Sequence, residues 1–226
     1  VIWSTAALAW FVARREPTQS RRSVAIVQSY HANLGFLGVP LVELTLGGAA
    51  TAVASVVLGV SLLVHVPLTI VTLVALNDAD ASVRDELAAL ARNPVLVSLA
   101  AGLLGSAAGL SLPGVADTGL WALGELALPL ALLGVGASLR IDTTTVDPRG
   151  TGSVVALKVA VMPAVAFVVF SLLAASQAAL STAVLMFGMP SAVSTYVYAT
   201  ELGGDADFAS VNVFATTVAP LLLVTA

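Results

Sequence analysis

Apolar residues run along this chain in long unbroken stretches, and the charged residues are gathered between them. Such a stretch crosses a hydrocarbon core about 30 Å thick with roughly 20 helical residues. A Lys, Arg or Asp at mid-bilayer costs roughly 2.5 to 3.5 kcal/mol, so charge-free intervals predict the spans. The first covers residues 1–13 and is closed by Arg14, Arg15, Arg21 and Arg22. A second is expected at about 23–45, a turn at Gly47-Gly48 and a third span at 51–76. After the polar segment 77–93 a fourth runs 94–112. It opens on Pro94, whose missing N–H would be unpaired in a first helical turn anyway. A fifth, 118–139, carries Glu125 as its one charge. The 42 uncharged residues between Lys158 and Glu201 would make a helix about 63 Å long. They therefore predict two spans, 153–175 and 179–200, parted at Ser176-Gln177; the eighth is 208–226.

The basic residues orient this map. Eight of the nine lie in loops 14–22, 77–93 and 140–152, on alternate sides of the span order, while loops 46–50, 113–117 and 176–178 hold none. By the positive-inside rule the first three loops are cytoplasmic, and the C-terminus emerges outside a multi-pass protein of the cell membrane. Within 82–91, Leu87 and Leu90 oppose Arg84, Asp85 and Glu86; the segment reads either as a short helix on the inner interface or as a solvated loop helix.

Composition agrees. With 58% hydrophobic and 10% charged residues and a mean hydropathy of +1.01, there is too little polar material to cover a soluble fold. A net charge of −4 with scattered basic residues excludes a nucleic-acid partner, and continuous rather than alternating apolar runs exclude a transmembrane barrel. Without cysteine there is no disulfide, thiolate nucleophile or Cys-built metal site. No nucleophile elbow, zinc-binding His pair, phosphate loop or calcium loop is present, so no enzyme, catalytic residue, metal or cofactor is expected. Val1 stands inside an apolar segment with no initiator Met or basic leader, as expected of a chain that begins partway through a larger protein.

Leu46-Gly47-Gly48 returns as Leu202-Gly203-Gly204, 156 residues later. Each triplet closes an apolar segment containing a proline, Pro40 or Pro190, and precedes a span with its own, Pro67 or Pro220. The two segments run in opposite directions through the bilayer, and inverted repeats with interrupted helices in corresponding positions point to a secondary transporter.

These segments resemble a known family. Asn33-Leu34-Gly35-Phe36-Leu37-Gly38-Val39-Pro40-Leu41 resembles the fourth-helix motif of the auxin efflux carrier family. Three further blocks are similar, in the family's order. They are Ala127–Leu133 through Gly136-Ala137-Ser138-Leu139; Leu157-Lys158 ahead of Pro163; and Met189–Tyr196 leading to Glu201-Leu202-Gly203-Gly204. The resemblance covers 23–226 and implies an all-α integral membrane fold of ten helices in two inverted five-helix repeats, the fourth and ninth broken and crossing. The eight spans would be the third to tenth, with two more upstream. Residues 1–76 would complete the first repeat, 77–93 connect, and 94–226 form the second.

Family members carry indole carboxylate auxin or are implicated in malate or malonate transport, which implies a secondary carrier of small organic anions working by alternating access. The rival readings are a cation-coupled antiporter or symporter of the same broken-helix architecture, of the sodium/proton or bile-acid type, and a non-transport intramembrane protein. Expected partners are the organic anion, the lipid bilayer, a coupling proton or cation and a second copy of the chain in a homodimer.

The candidate substrate-binding residues are Asn33, Gly35, Pro40, Lys158, Pro190, Ser191 and Ser194. Asn33 can donate to a carboxylate or serve as an interhelical hydrogen bond. Ser191, Ser194 and Thr195 follow Pro190 and either face the crossing or act as helix-packing hydroxyls. Lys158, the one lysine, is a counter-charge for the anion or an anchor that snorkels to the interface. His31 and Glu125 are candidates for a proton relay. Tyr196 and Tyr198 read as packing, and His65 has no charged partner within a helical turn.

Overall fold

The computed structural model describes residues 1–77, 92–126 and 147–225, with 84, 88, 129, 130, 133 and 134 singly. The described chain is helical, with an isolated bridge in place of strands. The expected interfacial segment 82–91 and most of the block 127–139 lie outside the described residues.

Ten helices are described. They are α1 Ile2–Val12, α2 Gln19–Tyr30, α3 Leu34–Leu46, α4 Gly48–Asn77, α5 Pro94–Ala107, α6 Gly114–Glu125, α7 Pro148–Leu172, α8 Gln177–Phe187, α9 Ser194–Glu201 and α10 Ala206–Thr225. By length and apolarity α4 and α7 are long enough to cross a bilayer, with 30 and 25 residues, or about 45 and 38 Å. Polar side chains open several of the helices. Thr18 accepts from the Arg21 amide, Asp147 from Arg149, Ser176 from Ala179 and Asp205 from Phe208, each satisfying an N–H that a first turn leaves free.

The bundle is apolar on both sides. Its interior is a cluster of α1, α2, α4, α7, α8 and α10 side chains that includes Ile26, Tyr30, Ile70, Leu73 and Met162. Its outer surface presents Trp3, Phe11, Leu63, Leu104, Phe167 and Leu172, each more than half exposed. Water does not tolerate that much continuous apolar surface, whereas lipid does, and the all-helical membrane class follows.

Two expected spans are each broken in the middle. The interval 23–45 forms α2 and α3 with His31–Asn33 unwound between them, and 179–200 forms α8 and α9 with Gly188–Val193 unwound. The first interruption falls seven residues ahead of Pro40. Pro40 cannot donate to the carbonyl four residues back, and the turn before it widens into a π-turn over Leu34–Gly38. Pro163 has the same effect in α7, where the π-turn covers Ala156–Val161. A π-turn of this kind shifts the register of the side chains before it.

The triplets 46–48 and 202–204 share a backbone device. Gly47 has φ of +80° and Gly203 of +73°, a region that side chains disfavour. They sit at opposite ends of the bundle. Gly47 joins α3 to α4, and α4 then returns to Asn77, which accepts from Ser23 at the start of α2 and donates to the Leu202 carbonyl beside Gly203.

Candidate functional site where two broken helices cross

The two unwound segments lie antiparallel and hold each other by main-chain hydrogen bonds. The Asn33 N–H donates to the Pro190 carbonyl at 2.9 Å and the Ala192 N–H to the His31 carbonyl at 2.9 Å. Ala32 and Ser191 thereby form the isolated bridge. Main-chain groups freed by each break, which would be costly unpaired in an apolar surround, are satisfied by the other break. Ser191 tightens the joint: its hydroxyl donates to the Gln28 carbonyl at 2.7 Å, and its amide donates to Thr216 Oγ1 at 3.1 Å.

Beside the crossing is a cavity of about 210 Å³, lined by His31, Asn33, Gly35, Ser194 and Tyr198 and closed by apolar α4 side chains and the start of α5. The N-termini of α3 and α9 both open on it. A helix N-terminus presents unpaired N–H groups and the positive end of the helix dipole, so two of them face the same space. Asn33 is 3% exposed, and among the described residues its side-chain amide has no hydrogen-bond partner. Asn33 thus lines the cavity with the donors and acceptor of its amide unused among the described residues.

The other wall is a stack of rings. His31 lies against His65 with centroids 4.7 Å apart and against Tyr198 at 6.4 Å. His31 Nδ1 is 2.8 Å from Thr69 Oγ1, which also meets the Tyr30 hydroxyl at 3.3 Å. These contacts fix the imidazole in place at the edge of the cavity.

A second cavity of about 440 Å³ shares Gly35 and Leu58 with the first and extends toward the Gly47 end, past Pro40, Glu43, Thr51, Trp121 and Glu125. Gly35 and Leu58 thus form a wall common to both cavities. Thr51 donates its hydroxyl to the Glu43 carboxylate.

A family model described as "Membrane transport protein" matches residues 79–226, more than half of the chain. The chain belongs to this family, that of the auxin efflux carriers. No curated protein and no solved structure matches it. The matched residues of this membrane transport protein include Lys158 and the second break, whereas the first break precedes them.

The candidate residues of this transporter separate by position. Asn33, Gly35 and Ser194 line the first cavity, and Pro190 contributes its carbonyl to the crossing. Pro40 lines the second cavity. Ser191 lines neither, because its hydroxyl is turned into the joint. His31 lines the first cavity and Glu125 the second.

Lys158 lines neither cavity and does not reach the surface as an anchor. It is completely buried, and its ammonium donates to the Phe187 carbonyl at 2.8 Å and to Met162 Sδ at 3.3 Å. Sequence reasoning missed this acceptor because a main-chain carbonyl has no residue signature. It also missed His65, which meets His31 across two helices, and Tyr198, which belongs to the cavity wall. The four-residue spacing of Ser194 and Tyr198 was the available signal for the last, since residues four apart share a helix face.

Proposed function

We propose that this member of the membrane transport protein family is a secondary carrier of small organic anions, binding a carboxylate at the crossing and working by alternating access. One observation carries the reading: the unpartnered Asn33 amide and the N-termini of two half-helices converge on a single cavity. A carboxylate there would accept from the Asn33 amide, a charge-assisted hydrogen bond that a neutral ligand cannot match, and would lie at the positive ends of the two helix dipoles. At about 210 Å³ the cavity is below the roughly 300–1,000 Å³ of drug-sized pockets and suits a small metabolite.

The two cavities support the alternating-access part. With the arginine-rich end inside, we read the first cavity as facing the cytoplasmic side and the second, toward the Gly47 end, the outer side. Rocking one helix group against another would open the site to each in turn. The opposite placement of the two Gly-Gly turns supports the inverted-repeat reading with the eight spans expected from the charge pattern.

Thermal unfolding of the purified protein with malate, malonate or indole acetate, each compared with its uncharged amide, tests the binding step. Stabilisation by an acid and not by its amide is expected; equal effects from both would remove the carboxylate from the account.

A cation-coupled carrier of the same architecture is the second reading. Its support is the buried Gln28 Oε1 and the side-chain amide of Asn212, which have no hydrogen-bond partner among the described residues. Amide oxygens suit hard monovalent cations, and uptake that requires sodium would favour this version.

A further inference from the structure

Where α8 ends, its last carbonyls have no partner within the helix and carry the negative end of its dipole. The chain then enters Gly188–Val193, the segment whose Pro190 carbonyl receives the Asn33 N–H. Of the groups at this point, one is charged. Lys158 Nζ reaches the Phe187 carbonyl, the final residue of α8, at 2.8 Å. Among the described residues no carboxylate pairs with it.

Its placement depends on the π-turn of α7. Lys158 stands within Ala156–Val161, and Pro163, which imposes that turn, also packs at the break: a Cβ built on Gly188 would lie 3.7 Å from the Pro163 Cβ. One short stretch of α7 therefore supplies both the cation and the apolar contact that meet the end of α8. Among the described residues no cation bonds the end of the first half-helix in this way. There Ser191 Oγ and the Ala192 N–H, both from the partner segment, take the carbonyls of Gln28 and His31. The crossing is asymmetric: one half-helix ends on neutral donors and the other on an ammonium.

We propose that Lys158 is a positioning residue, whose ammonium caps the C-terminus of α8 and thereby fixes the course of the second break and the crossing it makes with the first. It touches no cavity and does not contact substrate. Its consequence for transport rests on the crossing being the binding site, but its effect on the crossing does not. The lysine sets the direction in which the chain leaves α8, which in turn sets where Pro190 and Ser194 stand.

The absence of cysteine in the chain gives a direct readout. Ala32 and Ser191 form a bridge flanked by main-chain hydrogen bonds, the antiparallel arrangement with Cα atoms about 4.5 Å apart, within the span of a disulfide. A protein carrying Ala32→Cys and Ser191→Cys should oxidise readily in membranes. A second pair, Ser23→Cys with Asn77→Cys, reports the packing of α2 on α4 away from the crossing.

Adding Lys158→Met should slow cross-linking of the 32–191 pair about tenfold, since a hydrogen bond to a charged group is worth roughly that factor. The 23–77 pair should be unchanged, and Lys158→Arg should restore the crossing pair. Unchanged 32–191 cross-linking in Lys158→Met overturns the proposal. Equal loss in both pairs overturns it too, because the lysine would then support the bundle as a whole. Neither result bears on whether the carrier moves carboxylates.

Discussion

Replacing Asn33 by alanine separates a binding role from a structural one. The side chain is 3% exposed and has no partner among the described residues, while the backbone N–H that holds the crossing, 2.9 Å from the Pro190 carbonyl, is kept by alanine. Stability should therefore change by less than about 1 kcal/mol, the scale of substitutions that break no network. Binding should suffer more. A hydrogen bond to a charged partner contributes about 1.5 to 3 kcal/mol, which corresponds to a roughly 10- to 150-fold rise in the half-saturating carboxylate concentration. Uptake of labelled malate or indole acetate into proteoliposomes measures half-saturation, and thermal unfolding in detergent measures stability. Asn33→Asp should be worse than alanine, since it opposes one carboxylate with another. Half-saturation unchanged in Asn33→Ala, with the protein folded, would refute the reasoning; so would a large loss of stability with affinity per folded molecule intact.

Ser191 and Ser194 should behave oppositely. Ser191→Ala removes a buried 2.7 Å hydrogen bond and should cost about 1 to 2 kcal/mol in thermal unfolding, whereas Ser194→Ala should weaken carboxylate affinity with little loss of stability. Alanine at Gly47 or Gly203 incurs backbone strain of about 1 to 3 kcal/mol. Gly203→Ala should be the worse, because its Cβ would meet Asn77 Cβ at 3.3 Å while the Cβ at Gly47 meets nothing within 4 Å; melting temperatures rank the two. Arg21→Gln removes pairs with Glu16 at 3.2 Å and Asp147 at 2.9 Å and a stack 4.1 Å over Phe208. The expected loss is about 1 to 2 kcal/mol, and the difference from wild type should shrink when melts are repeated in high salt.

What could be read from the chain depended on whether the governing signal was local. The parting at Ser176-Gln177 was legible because 42 uncharged residues exceed one bilayer crossing, and in the structure Ser176 caps α8. Pro190 marked its break because that proline lies within the unwound segment itself. Pro40 did not mark the first break, because the π-turn over Leu34–Gly38 absorbs the missing hydrogen bond and the chain unwinds farther upstream. The site residues divide in the same way. Asn33 stands out as an amide near mid-span, seven residues before Pro40, but the partners of Lys158 and His65 come from helices distant in sequence. Long-range geometry decides those contacts, and one of the acceptors is a carbonyl that every residue carries.

Counterflow with the purified protein tests the central claim most directly. Liposomes loaded with unlabelled malate, malonate or indole acetate are diluted into a trace of the same labelled acid. The account predicts a transient overshoot of label inside, saturable and competed by other small carboxylates but not by their amides, and displaced to higher concentration by Asn33→Ala. Oriented, folded protein that gives no overshoot with any small carboxylate, or an overshoot indifferent to the carboxylate charge, would contradict it.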